Sequence, residues 1–176
     1  MKKIIAIGGS NSEKSMNKEL ALYTANQIDN SVTQLVDLNE FELPLYGIDL
    51  ENKQGIPANA IKMNELLEQA DGIVVSIAEH NGSYTAAFKN AIDWLSRIDQ
   101  KVWKEKPMFL MATSPGARGG VTVLESAKAT FPYLGGKVVG DFSLPTFYDN
   151  FTPNGLKNDQ LNEILNQKIK KFKAAI

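Results

Sequence analysis

The chain is predicted to fold as an α/β protein, a single parallel sheet of five strands with helices on both faces. Three observations lead there. Short β-branched runs alternate with helix-period segments from one end to the other. The runs are apolar throughout rather than alternating, as in strands buried on both faces. The segments between them are long enough for helical crossovers, whose fixed hand lays successive strands side by side in parallel.

The elements follow in order. Lys3–Ile7 is a β-branched run closed by Gly8-Gly9, and Asn17–Ile28 places Leu20, Ala21, Thr24, Ala25 and Ile28 on one helical face. Val32–Leu38 is the second strand. A helix runs from just after Pro57 to about Asp71, with Met63, Leu66, Leu67 and Ala70 at i, i+3, i+4 and i+7. Gly72–Ala78 is the third strand, Tyr84–Ile98 a long helix and Pro107–Thr113 the fourth strand. Val121–Phe131 is helical, Lys137–Leu144 is the fifth strand, and Asp159–Lys173 is a closing helix on Leu161, Ile164, Leu165, Ile169 and Phe172. The gap Asn39–Pro57, rich in Leu, Pro, Tyr and Gly, is expected to be a lid or interface loop.

Composition narrows the function classes. With 176 residues, 43% hydrophobic and 22% charged, residues 1–176 suit one globular domain that buries roughly 70% of its unfolded surface. Twenty acids against nineteen bases leave a net charge of −1, which argues against nucleic-acid binding. The absence of cysteine excludes thiol nucleophiles, zinc–thiolate sites and iron–sulfur clusters, and one histidine argues against a histidine-rich metal centre. The apolar run Ile4–Ile7 is shorter than the ~7–15 residues of a signal peptide, and no run reaches the ~18 of a membrane span. A cytoplasmic protein without a membrane partner is the expectation.

In such sheets ligands bind beyond the carboxyl ends of the strands, where strand order reverses. Three loops lie there. Gly9–Asn17 leads into the first helix, where Ser15 or Asn17 would cap it and its free N–H groups would form an anion site. Ser10, Ser12, Ser15, the Asn17 amide and Lys14 could add donors around a phosphate; the bland reading is a polar strand-to-helix turn. The loop carries no G-x-x-x-x-G-K-[ST], G-x-G-x-x-G or G-x-S-x-G pattern. Ala78–Thr85 is a bend with Asn81-Gly82 at its tip. Ser114–Gly120 holds three glycines, suited to close backbone approach or simply to a tight turn. A phosphoacceptor receiver domain is excluded, because no carboxylate cluster ends the first strand.

Together, Gly9-Ser10…Ser15-x-Asn17, Glu79-x-Asn81-Gly82-Ser83…Phe88-Lys89-Asn90-Ala91-Ile92-Asp93-Trp94 and Ser114-Pro115-Gly116-x-x-Gly119-Gly120 resemble the NAD(P)H-dependent FMN reductase family, which includes azo-, quinone- and chromate-reducing members. The resemblance covers nearly the whole chain, with the Lys-Asn-Ala-Ile-Asp-Trp stretch its most specific part. It implies a flavodoxin-like three-layer α/β/α fold with strand order 2-1-3-4-5. It also implies FMN as cofactor, NAD(P)H as cosubstrate and ping-pong delivery of electrons to a small-molecule acceptor, with a non-enzymatic flavodoxin-type carrier as the alternative. By the same resemblance, Ser10, Ser12, Ser15, Met16 and Asn17 hold the FMN phosphate. Main chain at Ala78, Glu79, His80, Asn81 and Gly82 borders the isoalloxazine, and Ser114, Gly116 and Gly119 approach its other edge. The chain departs from the family pattern at Ser12, where an arginine is usual, at Ala78 and His80 in the usual Pro-Glu-Tyr-Asn, and at Thr85 in place of a proline.

No catalytic side chain is assigned, because hydride chemistry belongs to the cofactor. His80 and Arg118 read as solvent-facing loop residues. On the helix Tyr84–Ile98, Ala87, Phe88, Ala91, Ile92, Trp94, Leu95 and Ile98 fill an arc of about 160°, more than the ~100° that covers a sheet. Trp94 is therefore expected in a core or interface. A homodimer or homotetramer is the simplest cover for the surplus, with the chain's own loops as the alternative.

Overall fold

The computed structural model describes residues 1–176. Five parallel strands, β1 (Lys2–Gly9), β2 (Ser31–Val36), β3 (Gly72–Ile77), β4 (Pro107–Thr113) and β5 (Lys137–Leu144), form one sheet. The spatial order is β2-β1-β3-β4-β5, the flavodoxin-like arrangement with its reversal between β1 and β3. The central strands hold the buried runs: all of β3 and all of β4 beyond Pro107 are inaccessible to solvent. Side chains alternate across the sheet, so Ile5, Ile7, Val75 and Leu110 enter one core while Ile4, Ala6, Val74 and Phe109 enter the other.

Helices α1 (Met16–Ala25) and α7 (Asp159–Ala175) cover one face; α3 (Ala58–Glu68), α4 (Ala86–Ile98) and α5 (Val121–Thr130) cover the other. The expected elements are present with shifted ends. α1 stops at Ala25, short of Ile28, and β2 ends at Val36. The helix expected to reach Phe131 gives way at Thr130 to a 3₁₀ turn, Phe131–Leu134, since Pro132 has no N–H to continue it. Tyr84, expected to open α4, instead pairs with Glu79 in a short antiparallel hairpin, and the helix starts after the Thr85 cap.

Two features lay outside the periodicity. The segment expected to be a loop contains α2 (Ile48–Gln54), which buries none of its residues and so leaves no apolar stripe to read. After β5, α6 (Phe147–Asn150) and a hairpin of Phe151–Thr152 with Gly155–Leu156 fold back on α1. Phe147 and Phe151 stack there with ring centres 4.7 Å apart, and Tyr23 meets Phe151 edge-on at 5.5 Å. Both phenylalanines are core residues, while Tyr148 faces solvent.

The surplus apolar arc of α4 is covered by the chain itself. Trp94 is fully buried, its indole N–H donates to the Pro44 carbonyl at 2.7 Å, and Tyr46 packs edge-on to its ring at 5.0 Å. Asn90 accepts from Tyr46 N–H at 2.8 Å and donates to the Pro44 carbonyl at 3.0 Å. The Tyr46 hydroxyl donates to Glu51, which also accepts from Arg97 Nε at 2.9 Å. Desolvation and then the Glu51 hydrogen bond hold the Tyr46 phenol above its usual pKa. The arc therefore gives no ground for a partner subunit; segment 43–51 occupies it. Trp94→Phe removes one partly buried hydrogen bond and part of a filled ring volume, so urea unfolding should show a loss of about 2 kcal/mol. Limited proteolysis should show faster cleavage within 44–55.

Candidate functional site

The carboxyl ends of β1, β3 and β4 open into a cleft of about 250 Å³. Its floor is set by one side chain. Asn17 is 2% exposed at the start of α1, and its Oδ1 accepts from Ser76 Oγ at 2.7 Å and from Thr113 N–H at 3.1 Å. Its Nδ2 donates to the Thr113 carbonyl at 3.2 Å. The helix start is thereby tied to the last turns of β3 and β4. The same bonds take up the amide oxygen and one of its two N–H donors, and the main-chain N–H of Asn17 lies in the first turn beside the cleft.

Loop Ser10–Ser15 forms one wall. Ser15, not Asn17, is the N-cap: its Oγ accepts from Lys18 N–H at 3.1 Å. The N–H groups of Met16 and Asn17, in the first turn, are left without helical acceptors. Ser10 Oγ accepts from Ser12 N–H at 3.1 Å and closes the turn. Ser12 and Lys14 are exposed at the rim, and Lys14 makes no ion pair. α1 lies directly on the end of β1, where a Cβ at Gly8 would stand 2.7 Å from Lys18 Cα. Lys18 then reaches Asp37 at 2.6 Å. Partial burial of Asp37 opposes ionisation, yet hydrogen bonds from Lys18 and Asn39 outweigh it and lower its pKa. The contribution of this pair is whole at neutral pH and fades only as the pH falls from about 4 toward the folded-state value.

The facing walls are Ala78–His80 and Thr113–Pro115. Asn81 and Gly82 form the hairpin tip with φ of 52° and 75°, the left-handed pair that an Asn-Gly turn favours. They are exposed and stand beyond the cleft lining. Glu79 turns its carboxylate away, accepting from Val123 N–H in the first turn of α5 at 2.9 Å. His80 is exposed at the rim. The fourth-strand loop is braced by the segment that follows β5: Thr146 and Phe147 N–H donate to the Gly116 and Ser114 carbonyls, each at 3.0 Å. Gly119 is buried against β5, where a Cβ would lie 2.5 Å from Ser143 Oγ, so it packs the loop and does not face the cleft. Gly116 is exposed outside the lining.

Thus Ser10, Ser12, Ser15, Met16, Asn17, Ala78, Glu79, His80 and Ser114 converge on one cleft, while Asn81, Gly82, Gly116 and Gly119 lie around it. Thr113, Pro115 and Lys14 complete the lining. Thr113 was legible as the last residue of a central strand, where such sites form. A larger hollow of about 360 Å³ lies between segment 38–43 and α4, but Glu42 is its sole charged lining residue and it offers an anion no cation. Electrostatics, not size, selects the smaller cleft.

The residues present fit a phosphorylated planar cofactor: unbonded helix N–H groups, serine hydroxyls and a free lysine at one end, and main chain from two loops at the other. The pattern of the family described as NADPH-dependent FMN reductase matches residues 2–149. The chain belongs to that family. It is similar to the quinone reductase of Escherichia coli (strain K12), with 31% identity over 126 residues, 72% of this chain and 65% of the relative. It is also similar to an NADPH azoreductase of a Bacillus species, with 31% identity over 128 residues, 73% of this chain and 67% of that protein. The chain thus spans about two thirds of the length of these relatives, and in the quinone reductase slightly less. Among solved structures, the flavoenzyme NAD(P)H:(acceptor) oxidoreductase FerB from Paracoccus denitrificans superposes with a TM-score of 0.75 at 22% identity, over 99% of each chain, and shares the fold.

Asn17→Ala would strand Ser76 Oγ, Thr113 N–H and the Thr113 carbonyl in a buried place. A loss of about 2–3 kcal/mol in chemical denaturation is expected, with amide exchange at Thr113 accelerated.

Proposed function

We propose that this chain is an FMN-dependent NAD(P)H oxidoreductase that passes electrons to quinone, azo or related small-molecule acceptors. One observation carries the reading: the open amino terminus of α1, a rim of hydroxyls and an unpaired lysine meet at the switch point between β1 and β3. The helices that follow the other two cleft loops each receive one side-chain cap, as α1 does from Ser15. Thr85 Oγ1 caps α4 through Phe88 N–H, and the Glu79 carboxylate sits on α5. Of the three helices, only α1 places its N-cap and first-turn residues, Ser15, Met16 and Asn17, in the cleft lining.

In this reading Ser10, Ser12 and Ser15 with the Met16 and Asn17 N–H groups hold the phosphate. Lys14 supplies the fixed positive charge. Each bond to a charged oxygen contributes ~1.5–3 kcal/mol, so a few approach the ~8 kcal/mol of micromolar affinity. Main chain at 78–82 borders one edge of the ring system, and Ser114 to Gly116 the other. The Thr85 hydroxyl, donating to the Gly9 carbonyl at 3.0 Å, holds the base of the hairpin on β1. FMN held there would supply the two-electron chemistry; the chain would bind and orient it. With one cofactor site serving both, donor and acceptor would alternate, which is ping-pong order. No side chain is given a proton-transfer role. A carrier that docks on protein partners by charge gains little steering from a net charge of −1, so the enzymatic reading is preferred.

Two measurements check this. Purified protein titrated with FMN should quench flavin fluorescence, and anaerobic NADPH should bleach the bound flavin bands without a partner reductase; no binding and no bleaching would refute the proposal. Lys14→Gln should weaken FMN binding about five- to tenfold at low salt, and by less at about 1 M salt, where the Debye length is ~3 Å.

A further inference from the structure

α5 opens without a cap of its own. Its N-cap is Gly120, whose φ of 71° and close approach to Ala112, 3.0 Å from a would-be Cβ, suit no residue with a side chain. The acceptor the helix lacks arrives from elsewhere. Glu79, 44 residues earlier in the chain, places Oε2 2.9 Å from Val123 N–H. Glu79 belongs to the hairpin that forms one wall of the cleft, and α5 follows directly from the loop that forms the opposite wall. The far strand of the hairpin is fastened to the other end of the same helix. Tyr84 stacks on Phe131, and its hydroxyl lies 3.0 Å from Thr130 Oγ1. The hairpin therefore stands on α5 at two points, and the Glu79 contact is the one next to the cleft.

We propose that Glu79 is a positioning residue for the flavin ring: its carboxylate, clamped on the first turn of α5, sets the separation of the two loops between which the ring lies. The inference rests on the cofactor reading above. A carboxylate suits the place twice over, since it accepts a main-chain N–H and complements the positive end of the helix. It also keeps that helix end from competing for the phosphate, which leaves α1 as the anion site. Removing it would free the 78–80 wall to drift from the 113–115 wall while both strands beneath stay in register.

The test compares wild type, E79A, E79Q and W94F in FMN titrations at a temperature where all four remain folded. The glutamine keeps an acceptor oxygen, and W94F loosens the fold away from the cleft. E79A is expected to bind FMN about tenfold more weakly and E79Q within about threefold of wild type. W94F should bind as wild type does. Amide exchange at Val123 should accelerate in E79A alone. E79A binding FMN as tightly as wild type overturns the inference, and so does W94F weakening binding as much as E79A, since general stability would then be the cause. A wild-type chain that leaves FMN free overturns the cofactor reading itself and is seen before any variant is compared.

Discussion

The site depends on the buried amide of Asn17. A helix that follows a strand can sit at many angles above a sheet edge, and apolar packing alone leaves the choice shallow. Three hydrogen bonds from one side chain to Ser76 and Thr113 remove that freedom. Buried polar groups tolerate few alternatives, because any other arrangement leaves a donor or acceptor unmatched. The first turn of α1 is thereby aimed at the space over β1 and β3.

Helix termini are divided among distinct tasks along this edge. α4 is capped by its own Thr85, α5 by the distant Glu79, and α1 by Ser15 at the cleft. Of these three helix starts, only that of α1 lines the cleft. That placement also explains why the larger hollow beside α4 is not the better candidate, since an anion responds to donors and charge rather than to volume.

The excursion from Asn39 to Pro57 is held by polar clasps as much as by apolar burial. Pro44 receives two side-chain donors, from Asn90 and Trp94, and Glu51 receives Tyr46 and Arg97. A surplus of apolar surface on α4 thus reflects a wall built from the same chain.

By itself the sequence determined the alternation of strands and helices, the parallel sheet, the three loops at its carboxyl edge and the Asn-Gly turn. These follow from local periodicity and from backbone preferences that neighbours scarcely alter. The resemblance in the loops added the strand order and the family. What the tertiary structure alone decided concerns partners far apart in the chain. It decided that the Asn17 side chain bonds Ser76 and Thr113, that Glu79 caps a helix 44 residues away, that Gly119 packs on β5, and that α2 exists although no apolar stripe announces it. The reason is physical. A strand or helix is stabilised largely by near neighbours and so leaves a repeat in the sequence, whereas a polar side chain between two loops takes whichever partner the assembled fold brings within about 3 Å, and no spacing records that choice.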